Sequence, residues 1–184
     1  MPNRTLKLVP TAKLRIKSIE NTSLPVPGYE SWHVCATDPA LSVMTDFRSR
    51  SSVTVPETAS LDEAIEHMKH TGVRCAFVVE KKNNVVIGMI TAYDILGEKP
   101  QQFMHFSSTK HVDVLVKDIM TRIKDWPTAN IEDIEQSNVG DVLEALMETT
   151  VTHLPVMETT ESGEPRLRGL LSFAKLKRLL VDIA

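Results

Sequence analysis

The sequence predicts an α/β (α+β) fold made twice over: two β-α-β-β-α units packed sheet to sheet with approximate two-fold symmetry. Three observations lead there. Val43-Met44-Thr45 recurs 76 residues later as Ile119-Met120-Thr121. The run LDEAIEHMKHTGVRCAFVV, beginning at Leu61, has its counterpart 78 residues on in VGDVLEALMETTVTHLPVM, beginning at Val139. Gly88-Met89-Ile90-Thr91 returns after 81 residues as Gly169-Leu170-Leu171-Ser172. The last step of this drift falls in the polar stretch ETTESGEPR, where a longer hairpin loop costs little.

Each copy reads in the same order. A short extended piece, 52–55 and then 130–132, leads into a helix. Ser60 and Glu63 form an S-x-x-E capping box, in which each side chain satisfies a free backbone donor. In the second copy Asn138 is the cap, and Asp141 places negative charge in the first turn, where the helix dipole favours it. Leu61, Ala64, Ile65 and Met68 share one helical face, as do Val139, Val142, Leu143, Leu146 and Met147. Gly72 stops the first helix, and the β-branched run 149–152 stops the second. Paired strands follow at 73–79 with 85–90 and at 153–157 with 167–171, turned by Asn83-Asn84 and by a loop containing Gly163. A closing helix starts at Thr91 or Ser172, the second one carrying Phe173, Leu176, Leu179, Leu180 and Ile183 inward. Strands this apolar are buried on both faces, and neither half has helix enough to cover its own sheet. Packing sheet on sheet solves that and leaves a cleft on each side where the copies meet.

Composition narrows the function. The chain has 184 residues, 42% hydrophobic and 24% charged, with a net charge of −3, so it lacks a general positive field for a nucleic-acid backbone. No apolar stretch approaches the roughly 20 residues that cross a bilayer, and Cys35 and Cys75 alone make no disulfide framework. The expectation is a soluble cytoplasmic protein without nucleic-acid or membrane partners. Residues 1–37 read as an arm lying on the body or on a partner subunit: five basic side chains stand against two acidic ones, four prolines interrupt any helix, and Leu14-Arg15-Ile16-Lys17 alternates like an edge strand. The first repeat then occupies 38–100, a linker containing His105 occupies 101–114, and the second repeat occupies 115–184. Neither GxxxxGK[ST] nor GxGxxG is present, and His67 and His70 lack a third ligand, so no catalytic or metal-binding residue is predicted.

The Met-Thr before each first strand, the amphipathic helix ending at Gly72-Val73, the strand beginning His153-Leu154-Pro155-Val156, and GMITAYDIL with its partner GLLSFAKLK together resemble a tandem pair of CBS domains, a Bateman module, over about residues 40–182. The resemblance implies a non-catalytic regulatory module that needs no cofactor and binds an adenosine-containing ligand such as AMP, ATP or S-adenosylmethionine in a cleft between copies. It implies that Thr91-x-x-Asp94 holds the ribose, with Asp94 accepting from the two sugar hydroxyls, and that Asn130, Ile131, Val151, Thr152 and His153 hold the base. A phosphate beside His153 would make the charge of that imidazole depend on pH near neutrality. Lys175 stands in the second copy where Asp94 stands in the first, and an ammonium accepts no hydrogen bond. The opposite cleft, with Thr54, Val55, Val73, Arg74, Cys75, Ser172 and Lys175, is therefore read as degenerate; Phe77 in place of Pro155 is a further departure there. The resemblance also implies a homodimer. Because 37 leading residues are too few for an enzyme or transporter, the regulated target is expected to be a separate protein. A ligand-free dimerisation or interaction scaffold is the alternative.

Overall fold

Caps and turns set the boundaries of the elements. The computed structural model describes residues 33–83, 85–108, 110–149 and 151–180. The arm up to residue 32, with its edge-strand reading, and Asn84 and Ile183 lie outside the described residues. In chain order the elements are β1 (Thr45–Asp46), β2 (Thr54–Pro56), α1 (Leu61–Thr71), β3 (Cys75–Val79), β4 (Val86–Thr91), α2 (Ala92–Leu96), α3 (Lys99–Ser107), α4 (Val116–Ile119), β5 (Thr121–Arg122), β6 (Ala129–Asn130), α5 (Ile131–Gln136), α6 (Val139–Glu148), β7 (His153–Thr159), β8 (Pro165–Ser172) and α7 (Phe173–Leu179).

The capping box at Ser60 and Glu63 is formed, and Gly72 ends α1 in the left-handed region at φ 71°. Leu61, Ala64, Ile65 and Met68 are all buried, as their spacing requires. On α6, Val139, Val142 and Leu146 are buried but Met147 is 68% exposed, so the inward face is narrower than the sequence pattern implies. A longer departure precedes α6. Residues 130–132 read as extended, yet the strand stops at Asn130, and Ile131 and Glu132 open the short helix α5. Ala129 pairs with Val156 as Val55 pairs with Val78, so Asn130 lies eight positions before its helix cap where Pro56 lies four before Ser60. The extra residues make α5, which buries Ile131 and Ile134. The stretch read as a linker likewise starts inside a helix, α3.

Two four-stranded sheets result, in the orders β2-β3-β4-β5 and β1-β8-β7-β6. Two of the two-residue strands, β1 and β5, cross between the halves. β1, which precedes the first repeat's helix, pairs with β8 of the second repeat, and β5 pairs with β4 of the first. The hydrophobic cores follow this exchange. Val43 and Met44 are buried with Val139, Val156 and Leu171, while Val114, Val116 and Ile119 are buried with Leu61, Val78 and Ile90. Between the sheets Cys75, Phe77, Met89 and Trp126 form a third cluster against Val151, Leu167 and Leu170, with the Phe47 ring meeting Phe77 edge-on at 5.6 Å. That cluster joins the two copies.

Charge fastens the chain after β1. Arg168 pairs with Asp46, and buried Glu158 accepts from Arg48 at 2.5 Å and from Arg166 at 2.7 Å. Burial alone would raise the Glu158 carboxyl, but the bonds from Arg166 and Arg48 outweigh it and hold it below its ordinary value.

Glycine permits the close crossing of the exchanged strands. A Cβ on Gly169 would lie 2.7 Å from Met44 Sδ and 2.8 Å from the Thr45 carbonyl, and one on Gly88 would lie 2.7 Å from the Thr121 carbonyl. Because backbone cannot yield as a flexible side chain can, Gly169→Ala and Gly88→Ala are each expected to destabilise the protein by about 1–3 kcal/mol in urea melts. Melting curves unchanged by both substitutions would contradict the exchange.

Candidate functional site

β4 runs into α2 at Thr91, and the turn is locked from both sides. The Asp94 amide donates to Thr91 Oγ1 at 3.1 Å, while Asp94 Oδ2 accepts from the Thr91 amide at 2.8 Å and from its hydroxyl at 2.7 Å. Asp94 Oδ1 instead takes Lys99 Nζ at 2.7 Å, from the start of α3, and that ammonium also donates to Thr121 Oγ1 at 3.3 Å. Thr91 is 3% exposed, so its hydroxyl is committed to the cap. The Asp94 side chain keeps 14% of its surface open.

The second repeat brings the start of β7 to the same place. His153 is buried and electrostatically coupled to Asp94, which also acts on Cys75. Trp126, from the crossing segment after β5, donates its indole N–H to the His153 carbonyl at 2.6 Å, and Thr152 Oγ1 lies 3.0 Å from His153 Nδ1. Burial pushes the His153 imidazole down to about 4, with Asp94 opposing that shift. In this state its charge does not change near neutrality, because desolvation outweighs the neighbouring carboxylate. Val151 packs into the cluster between the sheets. Asn130 is exposed at the end of β6, whereas Ile131 is 7% exposed and faces the second repeat's own core. By strand register, Ala129 and Asn130 occupy the places that Val55 and Pro56 hold in the first repeat, and the four-residue slip between strand and helix hid this from sequence comparison.

The opposite cleft differs in charge. Ser172 Oγ caps α7 by accepting the Lys175 amide at 3.5 Å, and Lys175 Nζ reaches the Met44 carbonyl at 3.4 Å. Burial, with Arg50 and Arg178 nearby, holds the Lys175 ammonium below its ordinary value. At the position equivalent to Asp94 this cleft presents an ammonium, which accepts no hydrogen bond from a sugar hydroxyl. Of its other residues, Thr54 and Arg74 are exposed, and Val55 and Val73 pack on the first repeat's core. The buried Cys75 thiol is pushed up to about 12 by burial and then by Asp94, so it remains a thiol and serves as apolar wall. A groove of about 490 Å³ lies elsewhere, between β2 and α1; it touches Thr54 and Val55 but neither Thr91 nor Asp94. Among the described residues no three His, Cys, Asp or Glu side chains are grouped to hold a metal ion, and no helix is long and apolar enough to cross a membrane.

The CBS domain family model matches residues 43–100 and 116–182, more than half of the chain and both repeats. The chain belongs to the CBS domain family. This tandem CBS domain protein matches none of the curated proteins. Among solved structures it is similar to the CBS-pair protein CBSX2 of Arabidopsis thaliana at 23% identity and TM-score 0.50, covering 77% of this chain and 93% of that one. CBSX2 has also been solved in complex with AMP, a structure matched at TM-score 0.51. A CBS-domain containing protein of Agrobacterium tumefaciens is similar at 20% identity and TM-score 0.54, covering 85% of this chain and 98% of that one. Identities this low speak for the fold of the CBS pair.

Proposed function

We propose that this CBS pair is a non-catalytic regulatory module that binds one adenosine-containing ligand, of the AMP, ATP or S-adenosylmethionine class, between Thr91 and Asp94 on one repeat and Val151, Thr152 and His153 on the other. The observation that carries this reading is the asymmetry of the clefts. Asp94 sits partly open at the seam, beside buried His153, while its counterpart is Lys175, with Arg50 and Arg178 nearby. A carboxylate accepts both hydroxyls of a ribose, and an ammonium accepts neither. The AMP complex of the similar CBSX2 supports the same ligand class.

The module acts as a homodimer in the cytoplasm on a separate protein target. Tyr93, Leu96 and Met147 are each more than half exposed, and such large apolar side chains fit a surface that a second copy covers. Ligand alters the assembly only as far as it binds one arrangement better than another.

Titration calorimetry of the purified protein with AMP, ATP and S-adenosylmethionine tests the reading. The expected result is saturable heat with at least one of them at one site per chain. Silence across the panel, with no thermal shift, would instead establish the ligand-free scaffold.

A further inference from the structure

We infer that Lys99 makes the Asp94 cleft selective for adenosine ligands that carry a negative charge, a phosphate above all, over uncharged adenosine and cationic S-adenosylmethionine. This rests on the proposed adenosyl site and goes further by naming which member of the class it takes.

The argument is a count of acceptor positions. A carboxylate offers about four lone-pair positions. On Asp94, the Thr91 amide and hydroxyl use both positions of Oδ2, and Lys99 Nζ uses one of Oδ1. A ribose diol brings two donors and finds one free position, so it seats in full only when Lys99 lets go. Releasing Lys99, whose side chain is 43% exposed, leaves the ammonium with water and with Thr121 Oγ1 at 3.3 Å. A hydroxyl does not replace a charge-assisted bond.

What the ligand offers the displaced ammonium then decides the outcome. AMP and ATP bring phosphate oxygens, and the lysine exchanges one anion for another. Adenosine brings none, and its binding carries the loss of the ion pair with only water and a hydroxyl in exchange. Adenosylmethionine adds a sulfonium beside an ammonium. His153 does not compensate, because its buried imidazole is neutral at pH 7, and Lys99 is the one cation paired with Asp94 among the described residues. Its position explains the reach. Gly97 ends α2 after one turn, and α3 restarts two residues later, which folds Lys99 back over the cap it follows.

A plain ion pair stapling α2 to α3 would produce the same contact, so the test reads discrimination as well as stability. AMP, adenosine and S-adenosylmethionine are titrated into the wild type, Lys99→Met and Lys99→Arg, with melting curves confirming that each variant is folded. The wild type is expected to bind AMP at least about tenfold more tightly than adenosine. In Lys99→Met adenosine binds more tightly than in the wild type and AMP less tightly, bringing the two within about threefold, while Lys99→Arg keeps the preference. Equal affinities in the wild type, a preference for S-adenosylmethionine, or a wild-type ratio retained in Lys99→Met would overturn the inference and leave the adenosyl site standing. Absence of binding by every ligand to every variant would remove the adenosyl site itself, and the inference with it.

Discussion

Asp94→Asn is expected to weaken AMP binding by at least about a hundredfold and leave the fold in place. The substitution keeps the shape of the side chain and the oxygen that accepts from the Thr91 amide, so the start of α2 loses no more than about 1 kcal/mol. Removed is the charge facing the seam. Each hydrogen bond from a ribose hydroxyl to an ionised carboxylate is worth about 1.5–3 kcal/mol, and the asparagine NH₂ can accept neither. Two such bonds correspond to a loss of a hundredfold or more. Calorimetry at pH 7 measures it, and a melting curve within a few degrees of wild type shows that the loss is local. An unchanged dissociation constant would place the sugar elsewhere.

The second large effect is on stability, and its sign follows from His153. The imidazole titrates at 6.5 in the unfolded chain and at about 4 in the folded protein, so between those values the unfolded state binds more protons. The stabilisation is complete above about pH 6.5 and drains away as pH falls toward 4. In full the shift is worth about 3 kcal/mol, of which about 2 kcal/mol is gone by pH 5. The depressed carboxyls do not share this window. Asp46, held down by Arg168, Glu63, held down by Ser60, and Glu158 lose their contributions only below their ordinary values of 3.8 to 4.5. Urea melts at pH 7 and pH 5 are therefore expected to diverge in the wild type and to coincide in His153→Gln. Asp94→Asn should carry the wild-type dependence on to lower pH, since Asp94 is the group that raises the imidazole.

Much of this architecture was legible because local signals repeat. Ser60 with Glu63, Thr91 with Asp94 and Asn138 with Asp141 each mark a helix start by spacing alone, and all three boxes are formed. The crossing of β1 and β5 was not legible. Val43-Met44-Thr45 and Ile119-Met120-Thr121 carry the same pattern whichever sheet they join, and only the assembled cores decide. Helix α5 was hidden because Ile131, read in the extended piece 130–132, satisfies a strand as well as it satisfies a helical period with Ile134. Nothing in the sequence flags Lys99 either. Its contact with Asp94 spans five residues and a break in the helix, outside the regular spacings of helical neighbours. The bond that the Trp126 indole N–H gives to the His153 carbonyl was equally hidden, because it joins residues 27 apart through a backbone acceptor that carries no sequence signal.

The most direct measurement is a crystal structure of the protein grown with AMP. The account predicts a single nucleotide per chain at the seam of the repeats, both sugar hydroxyls on the Asp94 carboxylate and the Lys99 ammonium turned to the phosphate. A nucleotide seated on Ser172 and Lys175, or in the groove between β2 and α1 with Asp94 still paired to Lys99, would contradict it.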